Sequence, residues 1–513
     1  MGAWEPDAPS IIELTGTRVV EPIVAVAQGT LRGVVCNGIM SFKGIPYATP
    51  PVGAQRFQPP APPVEWSGVR AASAYGPTAP KPAYVAPLDG LLPEPIIPGD
   101  DYLNLNIWTP DMGAAGLPVL VWIHGGAFVN GTGAAERYDG TAFARDGVVC
   151  VTINYRLGVE GFLVLDDAPP NRGLLDQIAA LEWVQQNIEA FGGDPDAVTV
   201  AGGSSGAMSV MTLLSMTHTR GLFHRAIAQS GAAQHVLTPE TGHQVGTAMA
   251  EMLNIDLTVD AFDAVPRDRL IETQSSLISR IAMDPSPARW GEIATNFMAF
   301  EPVVDGTILT APPLDQLGHG VGGNIELLIG TNADEQHFFL VPSGLTDVIT
   351  GTFLNEVLEN FGAEAKAVVA TYDAGWPGAS PGELLSAVLT DLSFRIPAVR
   401  VAEARRQAEK PTHVYEFAWR SPQFNGRLGA CHGLEVGFAF GNAEQPSMRP
   451  LVGDHPPLGL AEAMHRTWVN FITGGEPGWP AYEESRTVMR FDRDLSSVND
   501  PRDAERRVWE GIR

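Results

Sequence analysis

The stretch AVTVAGGSSGAMSVMTLLSM, residues 197–216, decides the fold. Ala197–Gly202 has the small and β-branched composition of a short buried strand, and Ser205 to about Met216 has the composition of a helix. Between them stands Gly202-Gly203-Ser204-Ser205-Gly206, a G-x-S-x-G sequence. A serine at the apex of a strand–turn–helix elbow sits on a sharp, strained turn, so only small residues fit two positions away on either side. The turn lifts the hydroxyl out of the sheet and brings the helix N-terminus to the space where negative charge would develop. The stretch therefore predicts a parallel-sheet strand ending in a nucleophile, Ser204.

The pattern alone does not choose. Gly378-Ala379-Ser380-Pro381-Gly382 matches it too. That copy follows Trp376-Pro377 rather than a strand, and Pro381 removes the N–H directly after the serine, which an oxyanion site needs. It reads as loop, and context selects Ser204.

Outward from the elbow, Leu174 to about Ala190 reads as a helix with Leu174, Ile178, Leu181 and Ile188 on one face, stopped by Gly192-Gly193, with Asp194-Pro195 as a turn. PVLVWIHGG (118–126) and VVCVTINYR (148–156) are continuous apolar runs, as in strands covered on both faces. LNLNIWTP (103–110) alternates with period two. ELLIGTN (326–332) and HVYEFAW (413–419) are further strands between helical stretches, and residues 23–48 read as hairpins. Pro77 to Pro98 reads as a long surface loop. Strands alternating with helices predict an α/β fold: a large, mostly parallel central sheet flanked by helices.

Composition narrows the function. With 44% hydrophobic and 18% charged residues the chain is globular. A net charge of −26 argues against nucleic-acid binding. No run reaches the roughly 18 apolar residues of a membrane span, and the N-terminus lacks a signal-peptide pattern. Cys36, Cys150 and Cys431 have no metal-site or disulfide spacing, which predicts a reducing, cytoplasmic setting, with Cys36 and Cys150 as core residues.

The remaining chemistry comes from three segments. His124-Gly125-Gly126-Ala127-Phe128 ends a buried strand upstream of Ser204. Its glycines let the backbone approach a substrate carbonyl, and preorganised N–H donors there lower an acyl-transfer barrier by about 3 kcal/mol each. Gly126, Ala127 and Ser205 are the predicted donors, and His124 is structural. A serine nucleophile also needs a base, and the base an orienting carboxylate. His432, in GACHGLEVGFAF beyond a late strand and followed by glycine, is best placed for the base. His218 and His224 lie too near Ser204, His465 lies in a helical run, and His337 is the main competitor. For the acid, ELLIGTN runs into Asp334 and Glu335, and spacing does not separate the two.

Together these segments resemble the type-B carboxylesterase family, which includes bacterial para-nitrobenzyl esterases and cholinesterases. The resemblance runs from about Ala27 to Asp492 through ordered blocks such as SFKGIPYATPPVGAQRF, PVLVWIHGGAF, NYRLGVEGFL, GLFHRAIAQSG, LLIGTNADE and GACHGLEVGFAF. It implies an α/β-hydrolase fold and a triad of Ser204, Glu335 and His432, favouring Glu335 over Asp334. It also implies that Ser230, in the block ending QSG, supports the acid and base from behind. The family's usual GESAG is GGSSG here, its glycine after the acid is Gln336, and Ala79 and Tyr102 stand where its early disulfide falls.

The reading that follows is one domain, residues 1–513, with pocket-forming insertions at 235–320 and 340–425. A small-molecule carboxylic ester would be hydrolysed through a covalent acyl-enzyme with no metal and no cofactor, by a monomer or homodimer. Carbamate, amide or lactone hydrolysis by the same groups is the nearest rival. A binding protein on the same fold, like the adhesion relatives of cholinesterases, is the rival from another class.

Overall fold

The structure, a computed structural model, describes residues 21–512. Its strands in chain order are β1 (Ile23–Val26), β2 (Gly29–Arg32), β3 (Val34–Cys36), β4 (Ile39–Pro46), β5 (Val69–Ala71), β6 (Asn104–Thr109) and β7 (Leu117–Ile123). There follow β8 (Val149–Ile153), β9 (Gly193–Gly203), β10 (Arg225–Gln229), β11 (Glu326–Asn332), β12 (Thr412–Phe417), β13 (Thr487–Phe491) and β14 (Ser496–Asn499). An 11-stranded sheet has the order β14-β13-β12-β11-β10-β9-β7-β8-β6-β4-β3, and β1, β2 and β5 form a small separate sheet. The run from β8 to β13 is parallel throughout, while β6, β4, β3 and β14 are antiparallel.

The apolar runs form central strands because both faces are covered. Alternate residues of β7 enter opposite cores: Val119, Val121 and Ile123 pack in one cluster, Leu120 and Trp122 in the other. In β11, Leu327 and Ile329 face the first cluster and Leu328 the second. A third, smaller core lies within the helices between 351 and 404, where Leu354, Leu358 and Tyr372 meet Trp509 from the C-terminal end.

Three expectations, for Cys36, for Asp194-Pro195 and for the second insertion range, need correction, whereas the strand read at 103–110 is β6, buried along its whole length. Its polar side is satisfied inside: Asn104 donates to Pro77 O, Asn106 to Thr152 Oγ1 and Thr109 to Phe191 O. Cys36 is exposed because β3 is the sheet's edge strand, whereas Cys150 is buried. β9 begins at Gly193, so Asp194-Pro195 lies within its irregular start, where the register against β7 jumps from Leu117↔Gly193 to Val119↔Val198. The second insertion range also takes in β12, a core strand.

Candidate active site

Ser204 stands between the end of β9 and the helix Ser205–Leu214, at φ 56° and ψ −128°. Few non-glycine residues adopt such a backbone, and it costs on the order of 1–3 kcal/mol. The flanking glycines explain how it is reached. A Cβ on Gly202 would lie 2.4 Å from the Gly206 carbonyl carbon, and one on Gly206 only 2.1 Å from Ile123 O. Position 203 is different: a Cβ there would meet the Trp122 ring at 3.4 Å, an ordinary contact, so the missing carboxylate is not forced by space. The Ser204 N–H donates to Gln229 O of β10, which fastens the elbow to the neighbouring strand. The rival Ser380 caps the helix Pro381–Thr390 in a capping box with Glu383, a purely structural task.

The end of β7 is pressed against the nucleophile. A Cβ on Gly125 would lie 2.6 Å from Gly203 O and 2.9 Å from the Ser204 Cβ. Gly126, Ala127 and Phe128 then run through positive φ (127°, 53° and 61°), and Gly126 O accepts from the N–H groups of Val129 and Asn130. The N–H groups of Gly126 and Ala127 donate to no acceptor among the described residues. Ser205 is the first residue of its helix, so its N–H is not used by the helix. Ser205 adjoins Ser204 in the chain, Gly126 and Ala127 follow the Gly125 that touches it, and none of the three N–H groups has an acceptor among the described residues. His124 is wholly buried, stacks on Tyr155, and burial pushes its pKa down to about 3; it is a neutral structural ring.

Glu335 and His432 follow the carboxyl ends of the parallel neighbours β11 and β12. His432 Nδ1 donates to Glu335 Oε2 at 2.7 Å, and Glu335 Oε1 accepts the Asn332 N–H at 2.7 Å. Glu335 is fully buried. Asp334 turns the other way: it pairs with Arg420 at 2.8 Å, accepts the Ala430 N–H, and borders a cavity of about 490 Å³ with His337 and Glu383. Of the two neighbouring acids, only Glu335 faces His432. Burial alone would lower the His432 pKa, but the charges of Glu335 and Glu435 and the Glu335 hydrogen bond outweigh it, and the net shift is upward. Phe394 and Phe339 flank its ring at centroid distances of 4.9 and 5.5 Å. Among the described residues no hydrogen bond joins Ser204 to His432, an unengaged geometry common before substrate binds. Ser230 is buried at φ 54°, and its hydroxyl makes no hydrogen bond to the acid or base.

Residues unnoticed in the sequence surround this pair. Glu435 is buried beside Glu335, and its carboxyl accepts from Asn332 Nδ2 and Gln229 Nε2. Burial, then the Glu335 charge, raises its pKa. The only signal for it was a glutamate three residues after the candidate base.

Comparison with known proteins points to one family. A family model described as the carboxylesterase family matches residues 20–509. The chain is 37% identical to a para-nitrobenzyl esterase of Bacillus subtilis (strain 168), covering 94% of this chain and 97% of that protein. It is 35% identical to a phenmedipham hydrolase of Pseudarthrobacter oxydans, over 90% and 93% of the two chains. A crystal structure of a Geobacillus stearothermophilus carboxylesterase superposes with a TM-score of 0.83 at 34% identity, covering 95% of this chain and 99% of that one.

Proposed function

The chain belongs to the carboxylesterase family and is a carboxylic-ester hydrolase of the α/β-hydrolase fold, and we propose that its reaction runs through Ser204, His432 and Glu335. The observation that carries this assignment is the buried 2.7 Å hydrogen bond from His432 to Glu335, both following the carboxyl ends of strands parallel to the one that ends in the Ser204 elbow.

In the first half-reaction His432 Nε2 takes the Ser204 proton as Oγ attacks the ester carbonyl. The carbonyl π pair moves onto oxygen, and the N–H groups of Gly126, Ala127 and Ser205 receive that charge. The tetrahedral species collapses, the C–O bond to the alcohol breaks, and His432 protonates the leaving alkoxide. Water then repeats the sequence on the acyl-enzyme and returns the proton to Ser204. Glu335 holds the His432 tautomer and stabilises its cationic form. Ser230 supports the acid and base from behind, its buried hydroxyl being uncommitted at rest.

The single domain of residues 1–513, a monomeric or homodimeric state and a cytoplasmic location complete the reading. The three free cysteines favour the last of these. Among the described residues no helix is long and apolar enough to cross a membrane.

The test is Ser204→Ala on a chromogenic short-chain ester, with fluorophosphonate labelling of the parent enzyme. Loss of turnover and of label is expected. Parent-like turnover in the variant would sink the assignment.

A further inference from the structure

The loop from Pro77 to Pro98 is not merely a surface excursion. Lys81 and Glu94 turn inward from it and form an ion pair at 3.0 Å with side chains 0% and 5% exposed. Both engage one residue: the Lys81 ammonium donates to Gly131 O at 2.7 Å, and Glu94 Oε1 accepts the Gly131 N–H at 3.3 Å. The preceding residue is held to the same loop, since Asn130 Nδ2 donates to Pro82 O at 2.6 Å. Arg137 approaches Glu94 from the other side and donates to Pro93 O.

Gly131 is the foot of the oxyanion segment. A Cβ on it would lie 1.9 Å from Gly125 O and 2.3 Å from the His124 ring, so it packs directly on the residues that lead to the donors. Asn130 closes the turn, donating its N–H to Gly126 O at 2.8 Å. Displacing Gly131 therefore displaces Gly125 and Gly126.

We propose that Lys81 and Glu94 are positioning residues that fix the oxyanion hole by gripping the two polar groups of Gly131. The proposal rests on the assignment of Gly126, Ala127 and Ser205 as oxyanion donors. Holding the loop in place does not by itself call for charge: a buried ion pair is seldom more stabilising than an apolar pair of the same volume. What opposite charges add is direction, with a donor meeting one end of Gly131 and an acceptor the other. The hole must match the transition-state oxygen more closely than the ground-state carbonyl, so looser placement lowers kcat rather than raising KM.

The test compares Lys81→Met, Glu94→Gln and the double variant with the parent. kcat and KM are measured on a p-nitrophenyl ester and normalised to active sites titrated with a fluorophosphonate. Affinity for an aryl trifluoromethyl ketone, whose adduct with the nucleophile carries an oxyanion, is measured beside them. Each variant is expected to lose about tenfold or more in kcat per titrated site and in ketone affinity alike, with KM within about twofold. Lys81→Met leaves Glu94 its Arg137 partner and so strands no buried charge, and it carries the test if a variant that removes Glu94 does not fold. Unchanged kcat and ketone affinity, or a loss confined to KM, would overturn the clamp. A parent enzyme that does not take the label at Ser204 would overturn the triad reading beneath it, a separate result.

Discussion

The Glu335 carboxylate accepts from His432 Nδ1 while its neighbour along the chain, Asp334, faces Arg420. Glu335→Gln should therefore lower kcat about 10²- to 10⁴-fold, since an amide no longer stabilises the imidazolium. Asp334→Asn breaks only a half-exposed pair and should stay within about threefold of the parent. Steady-state kinetics on one ester separates the two variants.

The same pair sets the pH profile. His432 must be neutral to accept the serine proton, and its pKa lies above the ordinary 6.5. The acid limb of kcat/KM should therefore fall above pH 6.5. Glu335→Gln removes the main raising influence, so the residual activity should show this limb at lower pH. A limb that stays in place would mean that another group titrates.

The elbow stores strain, because Ser204 holds a conformation that glycine adopts freely. Ser204→Ala and Ser204→Gly should both be inactive. The glycine variant should nevertheless be the more stable of the two by about 1 kcal/mol, its relief of strain exceeding its larger unfolded-state entropy. Denaturant titration of both proteins checks the sign.

Gly206→Ala should fail for the opposite reason. Its methyl group would lie 2.1 Å from Ile123 O, a backbone atom that cannot swing aside. A loss of at least about 2 kcal/mol is expected, together with most activity. Thermal unfolding against Gly203→Ala, which has room, isolates the effect.

Ser230→Ala should leave the unfolding midpoint nearly unchanged, because the hydroxyl has no partner to lose at rest. If Ser230 supports the acid and base during turnover, kcat falls several-fold with KM constant. A parent-like kcat would remove it from the machinery.

Much of this was legible in residue order. The continuous apolar runs of β7, β8 and β11 became central strands because helices cover both faces, as such runs require. Ser204 was separable from Ser380 because a strand precedes one and Trp-Pro the other. Legibility failed where polarity is handled in three dimensions. The period-two alternation of β6 does not tell where Asn104 and Asn106 find partners, which are Pro77, Asp101 and Thr152 in the interior. Asp334 and Glu335 are adjacent and chemically alike, so only the direction of each side chain distinguishes them. Lys81 and Glu94 show no periodicity, and their common target Gly131 lies far along the chain.

The sheet order also governs when activity can first exist. Ser204, Glu335 and His432 leave β9, β11 and β12, and the last two are 97 residues apart in the chain. During synthesis the nucleophile elbow is complete long before its base emerges. β12 must then dock as the neighbour of β11 before His432 meets Glu335. Ester turnover thus reports on nearly the whole length of the polypeptide, and an N-terminal fragment ending before β12 stays chemically silent however well its elbow is formed.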